Sequence, residues 1–343
     1  MVISRTSNRY GLNILKSRGC FYASLFLNLV ALCVIFAEYL PIGHTTGMKT
    51  FSRTSEKDDT PLKPFPGFNG VSSLFKDFGC GFENMIVPSF LNSGDGQHRV
   101  MVDIGLNMGE ETLAAAKSGF IVYAFEPVPN FVDHVIGRLE SENILYYEVQ
   151  LDVNTGQQLE PLPIPPLGRG MVYLFRAAAG SKFEKKTIAV EGAASSFVDK
   201  ESIARGTPAD VLVVPVSAYI DVDVYYLKID SQGWESEVLE GLMDLLRKRV
   251  IRLVSVELWP RGLIEAASSA DAVIRLLVQR LGYLCFDSRI SSGIKPLHPE
   301  SLDNFVEMVD QLHEGSKHER FGFFDDLTCL SPNFASYKKS NTS

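Results

Sequence analysis

The segment Arg99–Pro127, RVMVDIGLNMGEETLAAAKSGFIVYAFEP, constrains this chain more than any other. It spells strand, tight glycine turn, helix, second strand and terminal acid. Val100, Met101 and Val102 form a short apolar run of the kind buried in parallel sheets. Asp103 closes that run. Gly105 and Gly109 bound a turn where a ligand can approach the backbone without meeting a Cβ. Glu110, Glu111 and Thr112 then open a helix through Leu113, Ala114, Ala115 and Ala116. Phe120–Phe125 reads as the next strand, with Glu126 at its carboxyl end and Pro127 after it. Ligands of open α/β sheets bind outside the carboxyl ends of the strands. Asp103 and Glu126 therefore predict a pocket for a nucleoside-bearing cofactor, with Glu126 accepting from both ribose hydroxyls.

The turn itself selects the nucleoside. A dinucleotide site reads G-x-G-x-x-G and rests a pyrophosphate on the helix N-terminus. Here the turn is G-L-N-M-G, with Asn107 where the middle glycine belongs, and Glu110 and Glu111 would repel a pyrophosphate. A cationic sulfonium meets no such repulsion, so S-adenosylmethionine is the expected cofactor. Asp103 would hold its amino group directly or through water. The bland alternative is an ordinary βαβ turn whose acids complement the helix N-terminus.

The chain has 343 residues, 45% hydrophobic, with a formal net charge of −8. That length suits one large domain or two small ones. The acidic balance and the lack of a basic patch argue against nucleic acid as a partner. Ahead of the fold, Cys20–Ala37 is almost continuously apolar and is preceded by Arg5, Arg9, Lys16 and Arg18 with no acid among them. A membrane helix needs roughly 17–25 residues, and the basic flank keeps the N-terminus in the cytosol. The expected layout is a cytosolic tail at 1–19, a signal-anchor at 20–40, a proline-punctuated stem at 41–70, a catalytic domain at 71–335 and a disordered tail at 336–343. A cleaved signal peptide is the competing reading; the long apolar core and the absence of a clear A-x-A site favour the anchor. This arrangement matches a single-pass type II membrane protein of the Golgi with a lumenal domain, by analogy of layout alone.

Of the five cysteines, Cys80, Cys285 and Cys329 would be lumenal, leaving one disulfide and one free thiol with the pair undecided. No Cys/His spacing suits a metal.

Downstream, Phe131–Leu139 has helical spacing and Ile144–Val149 reads as a strand. The stretch 151–170 carries Pro161, Pro163, Pro165 and Pro166 and reads as a loop or lid, a candidate for setting substrate choice. Strands are expected at Met171–Phe175, Thr187–Val190, Val211–Val216, Val224–Ile229, Val250–Leu258, Tyr283–Phe286 and Phe321–Leu327, with helices at Ser236–Lys248 and Asp271–Leu281. Strands alternating with helices specify a doubly wound, mostly parallel α/β domain.

A second constellation, Tyr226–Glu237 (YLKIDSQGWESE), puts Asp230 at the end of a buried strand, facing the same cleft. Gly233 permits a close turn, Trp234 can wall the cleft, and Glu257 lies near the end of the neighbouring strand. Lys228 in mid-strand calls for an acidic partner. The bland readings make Asp230 a helix cap and Glu257 a structural partner.

The chain here resembles the FkbM-type family of S-adenosylmethionine-dependent methyltransferases. The family's D-x-G-x-N-x-G turn is Asp103–Gly109, its F-E-P strand end is Phe125–Pro127, its K-I-D-x-[EQ]-G-x-E segment is Lys228–Glu235, and its later strand with glutamate is Ser255–Leu258. The match runs from about Val100 to about Leu258. The resemblance implies a seven-stranded class I methyltransferase fold and O-methylation. It places Asp103, Gly105, Asn107, Gly109, Glu126 and Pro127 at the cofactor. Ser181 stands where an aspartate is common and is the candidate for adenine. Gln232 stands where many members have glutamate, and a neutral amide cannot act as a base.

Methyl transfer to a hydroxyl gains from a group that removes its proton. Asp230 is the first candidate for that role, Glu257 the second and His134 a rival more typical of a helix surface. Lumenal placement makes a sugar hydroxyl of a glycan the expected acceptor. The rivals are a nicotinamide-dependent oxidoreductase, opposed by Asn107 and the paired glutamates, and a tethered domain that binds without catalysing.

Overall fold

The computed structural model describes residues 99–190, 195, 197, 206–287, 295–319 and 322–332. The proposed tail, anchor and stem, Cys80 and the C-terminal tail lie outside the described residues. Among the described residues no helix is long and apolar enough to cross a membrane.

The chain opens with β1 (Val100–Ile104), every residue of which is buried. Helix α1 (Glu110–Lys117) starts from Gly109 and carries Glu110 and Glu111 in its first turn and Lys117 in its last, both matching the helix dipole. Strand β2 (Ile121–Phe125) follows, then α2 (Pro129–Ser141), which begins on a proline and buries Val132, Val135 and Leu139. Next come β3 (Leu145–Glu148), β4 (Met171–Phe175), β5 (Ala178–Ala179), β6 (Glu184–Val190), β7 (Thr207–Val214) and β8 (Val224–Ile229). The remainder is α3 (Glu235–Lys248), β9 (Ile251–Leu258), α4 (Pro260–Glu265), α5 (Ala270–Arg275) running into a π turn at Leu276–Arg280, β10 (Leu284–Asp287), β11 (Lys295–Leu297), α6 (Leu302–Ser316) and β12 (Asp325–Leu330).

The main sheet has the order β11-β10-β12-β9-β8-β1-β2-β4-β3. Pairings from β3 through β9 are parallel, whereas β12 runs antiparallel between β9 and β10. This is a doubly wound, mostly parallel sheet, with nine strands where seven were expected. The edges are where short segments add on: β3 is half-buried throughout, and β11 is three residues long and contains Pro296. Side chains alternate between the faces as strands require. Val100, Val102 and Ile104 join a core with α3, α5 and α6, while Met101 joins a core with α1 and α2.

Two other differences have physical causes. Strands β6 and β7 begin earlier than the expected Thr187–Val190 and Val211–Val216, because polar residues extend the antiparallel ladder between them, and β7 stops at Val214, with Val216 in a 3-10 turn. Together with β5 they form a separate three-stranded sheet. The proline-rich stretch at 151–170 is a loop tied down by tyrosines: Tyr147 donates to Glu160, Tyr173 to the Pro163 carbonyl and Tyr219 to the Gly156 carbonyl.

The cysteine pair left open by the sequence is Cys285–Cys329, bonded between directly opposed positions of β10 and β12. Their sequence separation is 44 residues, for which loop-closure entropy in the unfolded chain amounts to about 4 kcal/mol. A Cys285→Ala/Cys329→Ala variant is expected to lose about 2–4 kcal/mol in urea unfolding. The wild-type protein should release two additional titratable thiols only after reduction and unfolding.

Candidate active site

The order of the sheet reverses at β1. The chain proceeds from β1 outward through β2 and β4, then returns to place β8 and β9 on the other side. Ligands of open α/β sheets gather at such a switch point. A cavity of about 810 Å³, counted to its open mouth, lies there. Its floor is Ile104, Gly105, Asn107, Phe125, Glu126 and Asp230. Ala178, Ala179 and Ile188 of the small sheet form one wall with Phe197, and Gln232 and Trp234 form another.

Gly105 makes the floor possible. Its φ is +83°, and a Cβ there would lie 1.8 Å from the Asp230 carbonyl oxygen. The first turn and the end of β8 are thus in backbone contact, sealed by Asp230 N–H donating to Ile104 O at 3.0 Å. Asn107, also left-handed at φ 48°, turns its N–H onto Glu126 Oε2 at 3.0 Å, and Val128 N–H donates to Oε1 at 2.9 Å. Glu126 is only 4% exposed, yet it lines the cavity. A carboxylate offers about four lone-pair positions, and these two backbone donors leave positions for hydroxyl donors from a ligand. Burial pushes its pKa up to about 7, against the pull of the Val128 and Asn107 amides and of Lys228.

Asp103 stands behind this floor. It is fully buried and absent from the cavity lining. Thr112 Oγ1 donates to its Oδ2 at 2.6 Å, and Lys228 Nζ lies 3.5 Å from its Oδ1. Burial raises its pKa, opposed by Lys228. Lys228 also donates to Gly105 O at 2.9 Å and stands 3.6 Å from Asp230 Oδ2. Burial pulls the pKa of this lysine down, but Asp103, Asp230 and Glu111 together push it above its ordinary value. The mid-strand lysine is therefore the brace between the two sequence motifs. Gly109 shapes the turn from outside the cavity, where its Cα faces Val135 of α2.

The second motif is locked from beneath. Buried Glu235 accepts through Oε1 from Ser231 N–H at 3.2 Å, Ser231 Oγ at 3.2 Å and Gly233 N–H at 3.0 Å. Burial raises its pKa to about 7. Gly233, at φ +94°, comes so near α4 that a Cβ would sit 2.6 Å from the Gly262 Cα. Asp230 and Glu257 directly follow the paired residues Ile229 and Val256, so they leave adjacent strands side by side. Gln232 Nε2 donates to both, at 2.9 Å to Asp230 Oδ1 and 2.8 Å to Glu257 Oε2.

The sequence candidates therefore divide. Gly105, Asn107, Glu126, Pro127 and Asp230 line one cavity. Asp103, Gly109 and Glu257 support it from outside the lining. Ser181 is turned away, its hydroxyl donating to Glu237 at 2.5 Å, while the neighbouring Ala178 and Ala179 line the cavity. His134 is exposed on α2 and is not among the lining residues. No residue of the 151–170 loop lines the cavity; Tyr147, Tyr173 and Tyr219 hold it outside the lining. Sequence reading missed the wall made by Phe131, Ile188 and Phe197, which comes from folding distant segments together and has no local motif.

The family model described as "Methyltransferase FkbM domain" matches residues 103–285. Among solved structures, methyltransferase FkbM from Methylobacillus flagellatus KT is 14% identical, with a TM-score of 0.37, over 68% of this chain and 43% of that one. The present chain thus spans less than half of that protein's length. SMU.1697c from Streptococcus mutans, solved in complex with SAH, is 11% identical with a TM-score of 0.35, over 71% of this chain and 94% of the other. The O-methyltransferase from Bacillus cereus, also in complex with SAH, is 10% identical with a TM-score of 0.33, over 71% and 79%. No curated protein matches this sequence. With more than half of its residues covered by the family model, on the motifs that build the cavity, the chain belongs to the FkbM methyltransferase family.

Proposed function

We propose that this protein is an S-adenosylmethionine-dependent O-methyltransferase acting on a hydroxyl of a glycan in the lumen of the secretory pathway. The observation that carries the cofactor is Glu126: a cavity-facing carboxylate, oriented by two backbone amides and with positions left to accept from a ribose diol. Gly105 fits the same reading, because its bare Cα lets the first turn and the end of β8 close the floor in backbone contact. Pro127, Val128 and Phe131 give an apolar surface for a purine. Asp103 acts through Lys228 and Thr112, fixing the turn. When bound, S-adenosylmethionine supplies a methyl group on a positively charged sulfur.

The acceptor is the business of Asp230. It is the carboxylate on the cavity floor nearest the second wall, and it takes the proton that the attacking hydroxyl gives up. Most of the remaining rate advantage comes from holding the two reactants together. The lumenal setting draws support from the Cys285–Cys329 bond, which suits an oxidising compartment, and from the apolar stretch at 20–37. Ser181 has no part in this reading, since Glu237 already occupies it.

The reading is tested first by calorimetry with S-adenosylmethionine on the full chain. A ribose diol donates to the ionised form of Glu126, so affinity should rise with pH through about 7. Between pH 6 and pH 8 the ionised fraction, and with it the affinity, grows about tenfold. The unliganded fold responds with the opposite sign. Because the folded pKa lies above the usual 4.5, Glu126's contribution to stability is complete below that value and is lost as pH rises through about 7. An affinity that is flat or falls over that range would contradict the ribose assignment. The acceptor is tested by mass spectrometry of cellular glycans with and without the protein; identical methylation in both would remove the glycan.

A further inference from the structure

Asp230 and Glu257 pose a problem that the fold has to solve. They emerge side by side from adjacent parallel strands, and two like charges that close do not both ionise cheaply. Glu257 is faced by Asp230 from β8, by Glu235 from α3 and by Asp326 from β12, the residue paired with it in register. Lys228 sits on the far oxygen of Asp230. The two carboxylates share a hydrogen bond of their own, and the amide nitrogen of Gln232 contacts both.

The backbone shows how firmly that amide is aimed. Gln232 has φ 53°, a left-handed conformation that an unbranched L-residue adopts at a cost of about 1–2 kcal/mol. It is held there by Glu235, which grips the N–H groups on both sides of it, and by the close approach of Gly233 to Gly262. Such strain persists where the surroundings over-determine it and marks functional positions. A glutamate at this position would add a third acid at hydrogen-bond distance from the other two.

We propose that Gln232 is a positioning residue whose amide, donating at once to Asp230 and Glu257, holds the pair with a single proton on Glu257 and leaves Asp230 as the base turned to the cavity. The inference rests on the assignment of Asp230 to the acceptor hydroxyl. Burial and the three facing acids raise the affinity of Glu257 for that proton, and Lys228 supplies the cation beside Asp230. On methyl transfer the acceptor O–H bond breaks, its proton passes to Asp230, and the proton on Glu257 stays where it was. The amide neither gains nor loses a proton, so it can hold the geometry through the whole turnover.

The test is pH-difference infrared spectroscopy of the full chain, which needs neither cofactor nor acceptor. Wild type should show a protonated carboxyl band near neutral pH that Glu257→Gln removes. Gln232→Met keeps the length of the side chain and deletes its donors, so it should move the titration midpoint of that band upward by a pH unit or more. Gln232→Glu should move it further in the same direction and add a second band. Because Gln232 lines the cavity, the readout for both variants is the midpoint of the band and not the affinity for S-adenosylmethionine. The proposal is overturned if no band depends on Glu257, or if the midpoint stays in place in folded Gln232→Met and Gln232→Glu proteins. Should wild type fail to bind S-adenosylmethionine while the band behaves as described, the cofactor reading falls and the carboxyl pair stands.

Discussion

On the proposed reading, Glu126→Ala is expected to abolish measurable binding of S-adenosylmethionine in calorimetry while the protein remains folded. The wild-type carboxylate is positioned to accept two hydroxyl bonds, each with a charged acceptor. Such bonds contribute about 1.5–3 kcal/mol apiece, so the loss corresponds to roughly a hundredfold to ten-thousandfold in affinity. The substitution also strips the Asn107 and Val128 amides of their acceptor, which slackens the turn itself. Glu126→Gln separates the two effects. Its volume is preserved, but its NH2 group must face one of those backbone donors, so affinity should still fall steeply with little change in melting temperature. Wild-type affinity in both variants would show that the ribose is held elsewhere.

Gly105→Ala is expected to be the most damaging single methyl group in the domain. A Cβ would lie 1.8 Å from the Asp230 carbonyl oxygen, on a residue at φ +83°. The left-handed backbone costs about 1–2 kcal/mol for an L-residue. The contact can be relieved only by parting the ends of β1 and β8, which breaks the Asp230 N–H to Ile104 O bond. Together these predict a loss of about 3–5 kcal/mol in urea unfolding, at the upper end for a point substitution. Gly137→Ala is the matched control. Gly137 lies inside α2, with nothing within 4 Å of an added Cβ, and alanine there should stabilise by about 0.5–1 kcal/mol. Equal stability of the two variants would refute the steric account.

Much of the floor of the site was legible because it is local in sequence. The turn Asp103–Gly109 and the acid at 126 sit within one βαβ unit, where strand period, glycine placement and a terminal acid reinforce one another. Asp230 and Glu257 were legible for the same reason, Asp230 directly following one apolar strand and Glu257 lying next to the last residue of another. The sequence could not say which carboxylates face the ligand. Asp103 looked equivalent to Glu126, yet Thr112 and Lys228 cover it, and the Lys228 contact depends on register between strands 125 residues apart in sequence. Ser181 failed to reach the cavity for a similar reason, since its partner Glu237 lies on a helix that packs there only in the fold. Helix α6 was passed over although Leu302, Phe305, Val309 and His313 make a buried stripe. Its first turn follows a proline-bearing segment that masked the start of the pattern. The edge strand β11 is only three residues long, too short to leave a periodic trace.

The far wall of the cavity has its own consequence. Ala178, Ala179 and Ile188 belong to the three-stranded sheet, whose ladder is distinct from the nine-stranded one beneath. That wall can therefore accumulate substitutions without disturbing the hydrogen bonds that seat Glu126 and Gly105. A lineage built on this plan can reshape one side of its cavity while the opposite floor stays unchanged.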